Sequence, residues 1–172
     1  MSVLTRTVAA QSALPGWLPQ RKLKGNAMFK HILIPTDGSE LSNIAVVNGV
    51  SFAKESNAKI TGMTVTVPYH YVAYEVSQVD DTEEQHVKDM KAQADRNLAV
   101  FKDAAEKAGV EYSLVHCSSD HPYEEIVNTA QERGCDIIFQ ASHGRRGVRA
   151  LIMGGETHKV LTHTKIPVLV FR

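Results

Sequence analysis

The sequence predicts an α/β fold: a single five-stranded parallel sheet, doubly wound in the order 3-2-1-4-5, with helices on both faces. Three observations lead there. From Met28 onward, short apolar runs of strand length alternate with stretches whose apolar residues recur every three or four positions. The strand segments read as near-continuous apolar runs, the mark of a sheet covered on both faces. The 172 residues fall within the roughly 100–200 of a single domain, long enough to bury a core without disulfide staples.

The first strand is Ile32-Leu33-Ile34, ended by the turn Pro35-Thr36-Asp37-Gly38. Ser39 then caps a helix whose inward stripe is expected to be Leu41, Ile44, Ala45, Val47 and Phe52, up to Ser56-Asn57. Lys59 to Val67, rich in Thr and Val, is the second strand, and Pro68 stops it. Tyr69 to Asp81 has no clean repeat and reads as a mobile connection. Thr82 opens a long helix with Val87, Met90, Ala94, Leu98, Phe101 and Ala105 on one face, closed by Gly109. Val110 to Cys117 is the third strand. A helix follows from His121-Pro122, with proline in its first turn and Glu124 and Glu125 at its positive end. Asp136 to Ala141 is the fourth strand. The loop Ser142 to Gly155 carries Gly144, Gly147 and Gly154, and a helix through Lys159, Val160 and Leu161 leads to the last strand, Ile166 to Phe171.

Residues 1–27 stand apart. They contain Arg6, Arg21, Lys22 and Lys24 but no acid, and show no sustained period, so the expectation is a flexible extension or a misassigned start ahead of a domain at 28–172.

Composition narrows the function classes. Apolar residues make up 43% and charged residues 22%, and the apolar runs fall far short of the ~20 residues that cross a bilayer. Lys plus Arg balances Asp plus Glu at 19 each, so no global field gathers nucleic acid or anionic membrane. Cys117 and Cys135 have neither the spacing of a close pair nor that of metal ligands, and read as thiols of a reducing, cytoplasmic compartment.

An open parallel sheet binds its ligand outside the carboxyl ends of its strands, where the strand order reverses. Here that point lies between the first and fourth strands. The segments ending there are Pro35-Thr36-Asp37-Gly38 and Ala141-Ser142-His143-Gly144. Glycines let backbone N–H groups approach phosphate oxygens, and a helix starting near Gly155 points its positive end at the same place. Phosphate is the expected guest. The loop is neither a P-loop, which needs Gly-Lys-Ser/Thr after the first strand, nor the dinucleotide fingerprint, which belongs there too. Against this stands the plain reading of the glycines as a tight turn.

Ile32-Leu33-Ile34-Pro35-Thr36-Asp37-Gly38-Ser39, Pro122-Tyr123-Glu124-Glu125-Ile126, Ser142-His143-Gly144 and Lys165-Ile166-Pro167-Val168-Leu169-Val170, in this order, resemble the landmarks of the universal stress protein family across Met28 to Arg172. The family's nucleotide-binding branch carries Gly, two residues, Gly, nine residues, then Gly followed by Ser or Thr. On this sequence that frame falls on Ala141, Gly144, Gly154 and Gly155. It departs twice: Ala141 adds a methyl group, and Gly155 lacks the hydroxyl but keeps its N–H, with Thr157 two residues on.

The resemblance implies a non-catalytic, ATP-binding regulator of the stress response. Pro35, Thr36, Asp37 and the backbone at Val65 would hold the adenosine end. Ala141, Gly144, Gly154 and Gly155 would surround the phosphates, with Mg2+ or Mn2+ held through them, and Gln140, His143, Arg145, Glu156 and Thr157 would also belong to the nucleotide site. It also implies a homodimer through the last strand, 166–171, whose apolar edge would otherwise invite aggregation.

Each residue has a plainer role beside the functional one. Asp37 also suits a turn, His143 a structural donor, and Arg145, Arg146 and Arg149 a solvated loop. His116 and Cys117 are not a catalytic pair, because neighbours in a strand point to opposite faces. Two rival functions remain. One is an interaction module of the same fold that does not bind nucleotide, favoured by Ala141 and Gly155. The other is an enzyme of the related α-hydrolase folds that cleave ATP to AMP and pyrophosphate, whose Ser-Gly-Gly-rich loop after the first strand is missing at Pro35-Thr36-Asp37-Gly38.

Overall fold

The computed structural model describes residues 28–70, 82–143 and 153–172. Strands β1 (His31–Pro35), β2 (Lys59–Thr66), β3 (Tyr112–Ser118), β4 (Ile137–Ala141) and β5 (Val168–Phe171) form one parallel sheet in the order β3-β2-β1-β4-β5. Helices α1 (Glu40–Ser56), α2 (Glu83–Ala108), α3 (Pro122–Glu132) and α4 (Gly155–His163) connect them. The reversal of strand order therefore falls between β1 and β4, paired through Ile32 with Ile137 and Leu33 with Ile138.

Local chemistry sets the helix limits. Ser39 accepts a hydrogen bond from Ser42 N–H at 3.3 Å to start α1, and Thr82 accepts one from Gln85 N–H at 3.2 Å to start α2. Gly109, at φ 68°, ends α2 in the left-handed conformation that glycine adopts without steric cost. Its successor Val110 donates to the Ala105 carbonyl at 3.0 Å, so Val110 belongs to the helix cap and β3 begins later than expected. The last strand is likewise shorter than expected, because Ile166 N–H is taken by Thr164 Oγ1 and Pro167 has no N–H to give.

Two apolar layers cover the sheet. Ile32, Ile34, Ile60, Phe101, Ile137, Phe139 and Ala141 pack with α1 and α2 on one face. On the other, Leu33, Met63 and Ile138 pack with Ile126 and Ala130 of α3 and Val160 of α4. Phe101 is fully buried directly over Gly62, where a Cβ would come within 2.7 Å of its ring. Burying such a ring stabilises the fold by about 1.5–3 kcal/mol.

The inward faces of α1 and α2 differ from expectation. Leu41, Ala45 and Phe52 of α1 pack inward as expected, but Ile44 and Val47 are 44% and 51% exposed, and Ser42, Val46, Gly49, Val50 and Ala53 are buried in their place. The physical reason is close approach: at Gly49 a Cβ would lie 2.6 Å from Ile34 Cδ1, so small residues occupy the contact and larger ones turn outward. In α2, Val87 is 57% exposed, while Asn97 joins Ala94, Leu98, Phe101 and Ala105 inside.

Candidate functional site

At the carboxyl end of β1 the chain is fixed by a closed set of hydrogen bonds. Thr36 N–H donates to the Met63 carbonyl at 2.8 Å, continuing the ladder one residue past β1. The Thr36 carbonyl accepts instead from Thr64 Oγ1 at 2.8 Å, and Thr64 Oγ1 accepts from Asn97 Nδ2 at 3.1 Å. The Thr36 hydroxyl lies 3.0 Å from Ser42 Oγ and accepts from Gly38 N–H at 3.1 Å. Gly38 turns at φ 76°, and Asp37 Oδ1 accepts from Ser39 N–H at 3.0 Å, so the first-strand carboxylate is oriented by the turn that starts α1.

This arrangement also bears on Val65. In a parallel ladder the N–H and C=O of one residue face the same neighbour, and successive residues alternate. Met63 faces β1 through Thr36, and Thr66 faces β3 by accepting from Ser119 N–H at 2.9 Å. Val65 therefore presents its N–H and C=O toward β1, one ladder position beyond the Pro35–Met63 pair. With the Thr36 carbonyl occupied by the Thr64 hydroxyl, the Val65 donor and acceptor face the gap where β1 has ended.

On the β4 side, Ser142 N–H donates to the Phe171 carbonyl at 2.7 Å, and Gly154 N–H returns to the Ser142 carbonyl at 2.8 Å. The start of α4 is thus held against the end of β4. A Cβ on Gly154 would stand 3.1 Å from His143 Cα and 3.3 Å from Ser142 O, a tight contact that glycine avoids and that any side chain would relieve only by shifting the His143 backbone a few tenths of an ångström. Gly155 differs: a Cβ there would meet nothing within 4 Å. Thr157 is buried and donates to the Ala141 carbonyl at 3.0 Å. His143 is half-buried, with Nδ1 3.1 Å from Ser142 Oγ.

The helix starts are not equivalent. Ser39 and Thr82 cap α1 and α2 with side-chain oxygens. At α3 the Tyr123 N–H is taken by Glu156 Oε2 at 3.0 Å, and Lys159 Nζ holds the other oxygen of that carboxylate at 2.8 Å. Gly154 brings α4 no side-chain cap. The first-turn N–H groups of a helix are orphan donors with partial positive charge, and an anion satisfies both needs. Glu156, expected in the nucleotide site, has its carboxylate turned to the start of α3.

The structure therefore brings Pro35, Thr36, Asp37, Val65, Gln140, Ala141, His143, Gly154, Gly155, Glu156 and Thr157 to the carboxyl end of the sheet, on the strands and turns flanking the switch point. Gly144, Arg145, Arg146 and Arg149 lie outside the described residues. Sequence reasoning missed Thr64 and Asn97, which fix the β1 turn. The available signal was Asn97 itself, a polar residue on the stripe of Ala94, Phe101 and Ala105.

The cysteines do not contribute a nucleophile. Burial pushes the Cys135 thiol up to about 11, and burial followed by the Glu125 carboxylate raises that of Cys117. Both are free thiols. Among the described residues no three His, Cys, Asp or Glu side chains group as a metal site, and no helix is long and apolar enough to cross a membrane.

Comparison with known proteins agrees with this architecture. The profile of the Universal stress protein family matches residues 28–172. The chain is 28% identical over 149 residues to universal stress protein YxiE of Bacillus subtilis, covering 84% of this chain and 100% of that one. Among solved structures, hypothetical protein MJ0577 superposes with a TM-score of 0.68 at 28% identity, over 83% of this chain and 95% of that one. A universal stress protein solved in complex with cAMP shares the fold, with a TM-score of 0.59 at 21% identity over 84% and 97% of the two chains. With a switch-point glycine turn, a parallel 3-2-1-4-5 sheet and a family match spanning the whole domain, the chain belongs to the universal stress protein family.

Proposed function

We propose that this chain is an ATP-binding regulatory protein of the stress response, working as a homodimer and without catalytic turnover. The observation that carries the reading is the start of α4, which has no side-chain cap and is held at the switch point by the Gly154 N–H bond to the Ser142 carbonyl. The triphosphate would lie against the N–H groups of Gly155 and Thr157, with Ala141, His143, Gly144 and Arg145 around it and Mg2+ or Mn2+ held through its oxygens. The adenosine would rest against Pro35, Thr36 and Asp37 and pair with the backbone of Val65, whose adjacent donor and acceptor suit an adenine edge. The cAMP complex of a family member with the same fold supports an adenine nucleotide as the guest.

The dimer reading is supported by β5. Its residues Val168–Phe171 are all half-buried, and β5 is the edge strand beside β4. Such an edge is covered in a stable protein, and pairing with a second copy covers it.

The test is a thermal melt of the purified protein with millimolar ATP and Mg2+, together with mass spectrometry of small molecules released on denaturation. Binding stabilises the fold by about 2.7 kcal/mol at a hundredfold excess over Kd. Gly154→Val, which crowds the His143 backbone, should abolish the shift. The second reading, an interaction module that binds no nucleotide, draws on Gly155, where the family's phosphate-binding hydroxyl is missing. It is favoured if the wild-type protein shows neither a shift nor a co-purified nucleotide.

A further inference from the structure

Gln140 is the anomaly of the sheet. It lies on β4 and is only 4% exposed, yet its amide nitrogen is buried with no hydrogen-bond partner among the described residues. A buried donor left unpaired costs more than a hydrogen bond returns, and such groups in folded proteins call for an explanation. If the position served only to fill the core, an apolar side chain of the same length would serve better.

Strand alternation tells which way Gln140 points. Ile137, Phe139 and Ala141 enter the layer under α1 and α2, and Ile138 enters the layer under α3 and α4. Gln140 therefore projects to the α3 and α4 side. By the same rule Pro35 follows Leu33, and Val65 follows Met63, onto that side. The ladder sets Leu33 beside Ile138, which brings Gln140 level with Pro35. At the carboxyl end of the sheet a buried amide donor thus stands beside an apolar proline ring, with an apolar valine beyond. A flat heteroaromatic ring suits that surface, since it offers apolar faces to Pro35 and Val65 and in-plane acceptors to an amide.

We propose that the Gln140 carboxamide donates a hydrogen bond to a ring nitrogen of the nucleotide's purine base, and so acts as a specificity-determining residue of the site. The inference rests on the nucleotide reading above. It adds that this base contact comes from a side chain, beside the main-chain pairing at Val65, and that the amide is left without a partner when no ligand is bound.

This assignment makes two effects of one substitution run in opposite directions. Replacing Gln140 with methionine keeps the side-chain length and removes the orphan donor, so Gln140→Met should raise the melting temperature of the ligand-free protein. The same change should weaken ATP binding about tenfold, because the base loses its partner. Gln140→Leu serves as a second variant should methionine pack badly. The ring nitrogen is located with 1-deaza-, 3-deaza- and 7-deaza-ATP. One of them should bind the wild-type protein about tenfold more weakly than ATP, yet bind Gln140→Met as well as ATP does.

If wild-type protein binds ATP and Gln140→Met binds it equally well, or if all three analogues lose affinity equally in both proteins, the assignment of Gln140 is overturned while the nucleotide reading stands. If wild-type protein binds no nucleotide, both fall together. A lower melting temperature of the ligand-free methionine and leucine variants, with affinity unchanged, would make Gln140 a packing residue.

Discussion

The two ends of the same sheet treat buried polar groups in opposite ways. At the amino end, Asp136 accepts from Lys30 N–H at 2.8 Å and His31 N–H at 3.1 Å, His31 Nε2 lies 2.8 Å from Thr61 Oγ1, and Thr61 Oγ1 lies 3.1 Å from Ser113 Oγ. That chain of contacts runs from the start of β4 across β1 and β2 to β3. At the carboxyl end, β1 and β2 are linked in the same manner through Thr36, Thr64 and Asn97. The β4 side is less complete: among the described residues Gln140 Nε2 has no partner and α4 has no side-chain cap, while near the β1 turn Asn43 Oδ1 is the other buried side-chain atom without one. Polar groups that finish their bonding inside the protein hold the fold, whereas those left with capacity are where a ligand can add bonds.

This contrast can be broken by variants that move stability and ligand binding separately. The largest effect is expected at the amino end. Asp136→Ala removes a carboxylate that accepts from two main-chain N–H groups, and hydrogen bonds to a charged group contribute about 1.5–3 kcal/mol each before solvent exposure is discounted. A loss of about 2 kcal/mol by urea denaturation is expected, with the ATP-induced shift of the remaining folded protein unchanged; a loss of ATP binding in that variant would erase the division between the two ends.

Next is Gly155→Ser. The space beside Gly155 is open, so the added hydroxyl meets no steric obstacle and supplies a phosphate donor. Titration calorimetry should show ATP binding tightened about fivefold, near 1 kcal/mol for one added hydrogen bond, at unchanged ligand-free stability. No tightening would mean that the phosphates do not rest on the start of α4.

The smallest effect concerns pH. Burial, then the Lys59 charge, lowers the His31 pKa below its usual 6.5; a backbone contact with Arg133 and the Asp136 charge oppose this, and the Arg133 charge adds to it. The unfolded chain therefore binds the proton first, so stability falls as pH drops below about 6.5 and continues to fall until the folded-state pKa is passed. Urea midpoints measured between pH 7.5 and 5.5 should decline less in His31→Gln than in the wild-type protein. Equal declines would remove His31 as the source.

What the sequence shows well is what local chemistry decides. Ser39, Thr82 and Gly109 start and stop helices through bonds to residues three to five positions away, so their roles are visible without knowing the fold. A parallel sheet covered on both faces followed from the alternation of apolar runs and amphipathic helices, and the order β3-β2-β1-β4-β5 is that of the doubly wound fold the sequence resembles. The α1 stripe was misread because apolar size is a poor guide where a helix lies close on a sheet. Gly49 and Ala45 occupy the contact, and Ile44 and Val47 face outward beside a groove of about 400 Å3 shared with Val100 of α2. At the site, the glycine spacing distinguished Gly154 from Gly155 by family frame alone, and only the structure shows that a Cβ is crowded by the His143 backbone at one and meets none of the described residues at the other. That Gln140 lacks a partner was not visible in the sequence, because hydrogen-bond satisfaction depends on neighbours from distant segments.

The relay from Asn97 through Thr64 to Thr36 has a consequence for how fast and how selectively this end of the sheet can be occupied. It ties α2, β2 and the turn before α1 into one piece, so the backbone beside Asp37 and Val65 is already in place before any encounter. A guest arriving there would need to order few groups, and the affinity it gains would come mainly from the fit of its own shape and donors. A floor set in advance rewards the molecule that matches it and gives little to one that would need it to move.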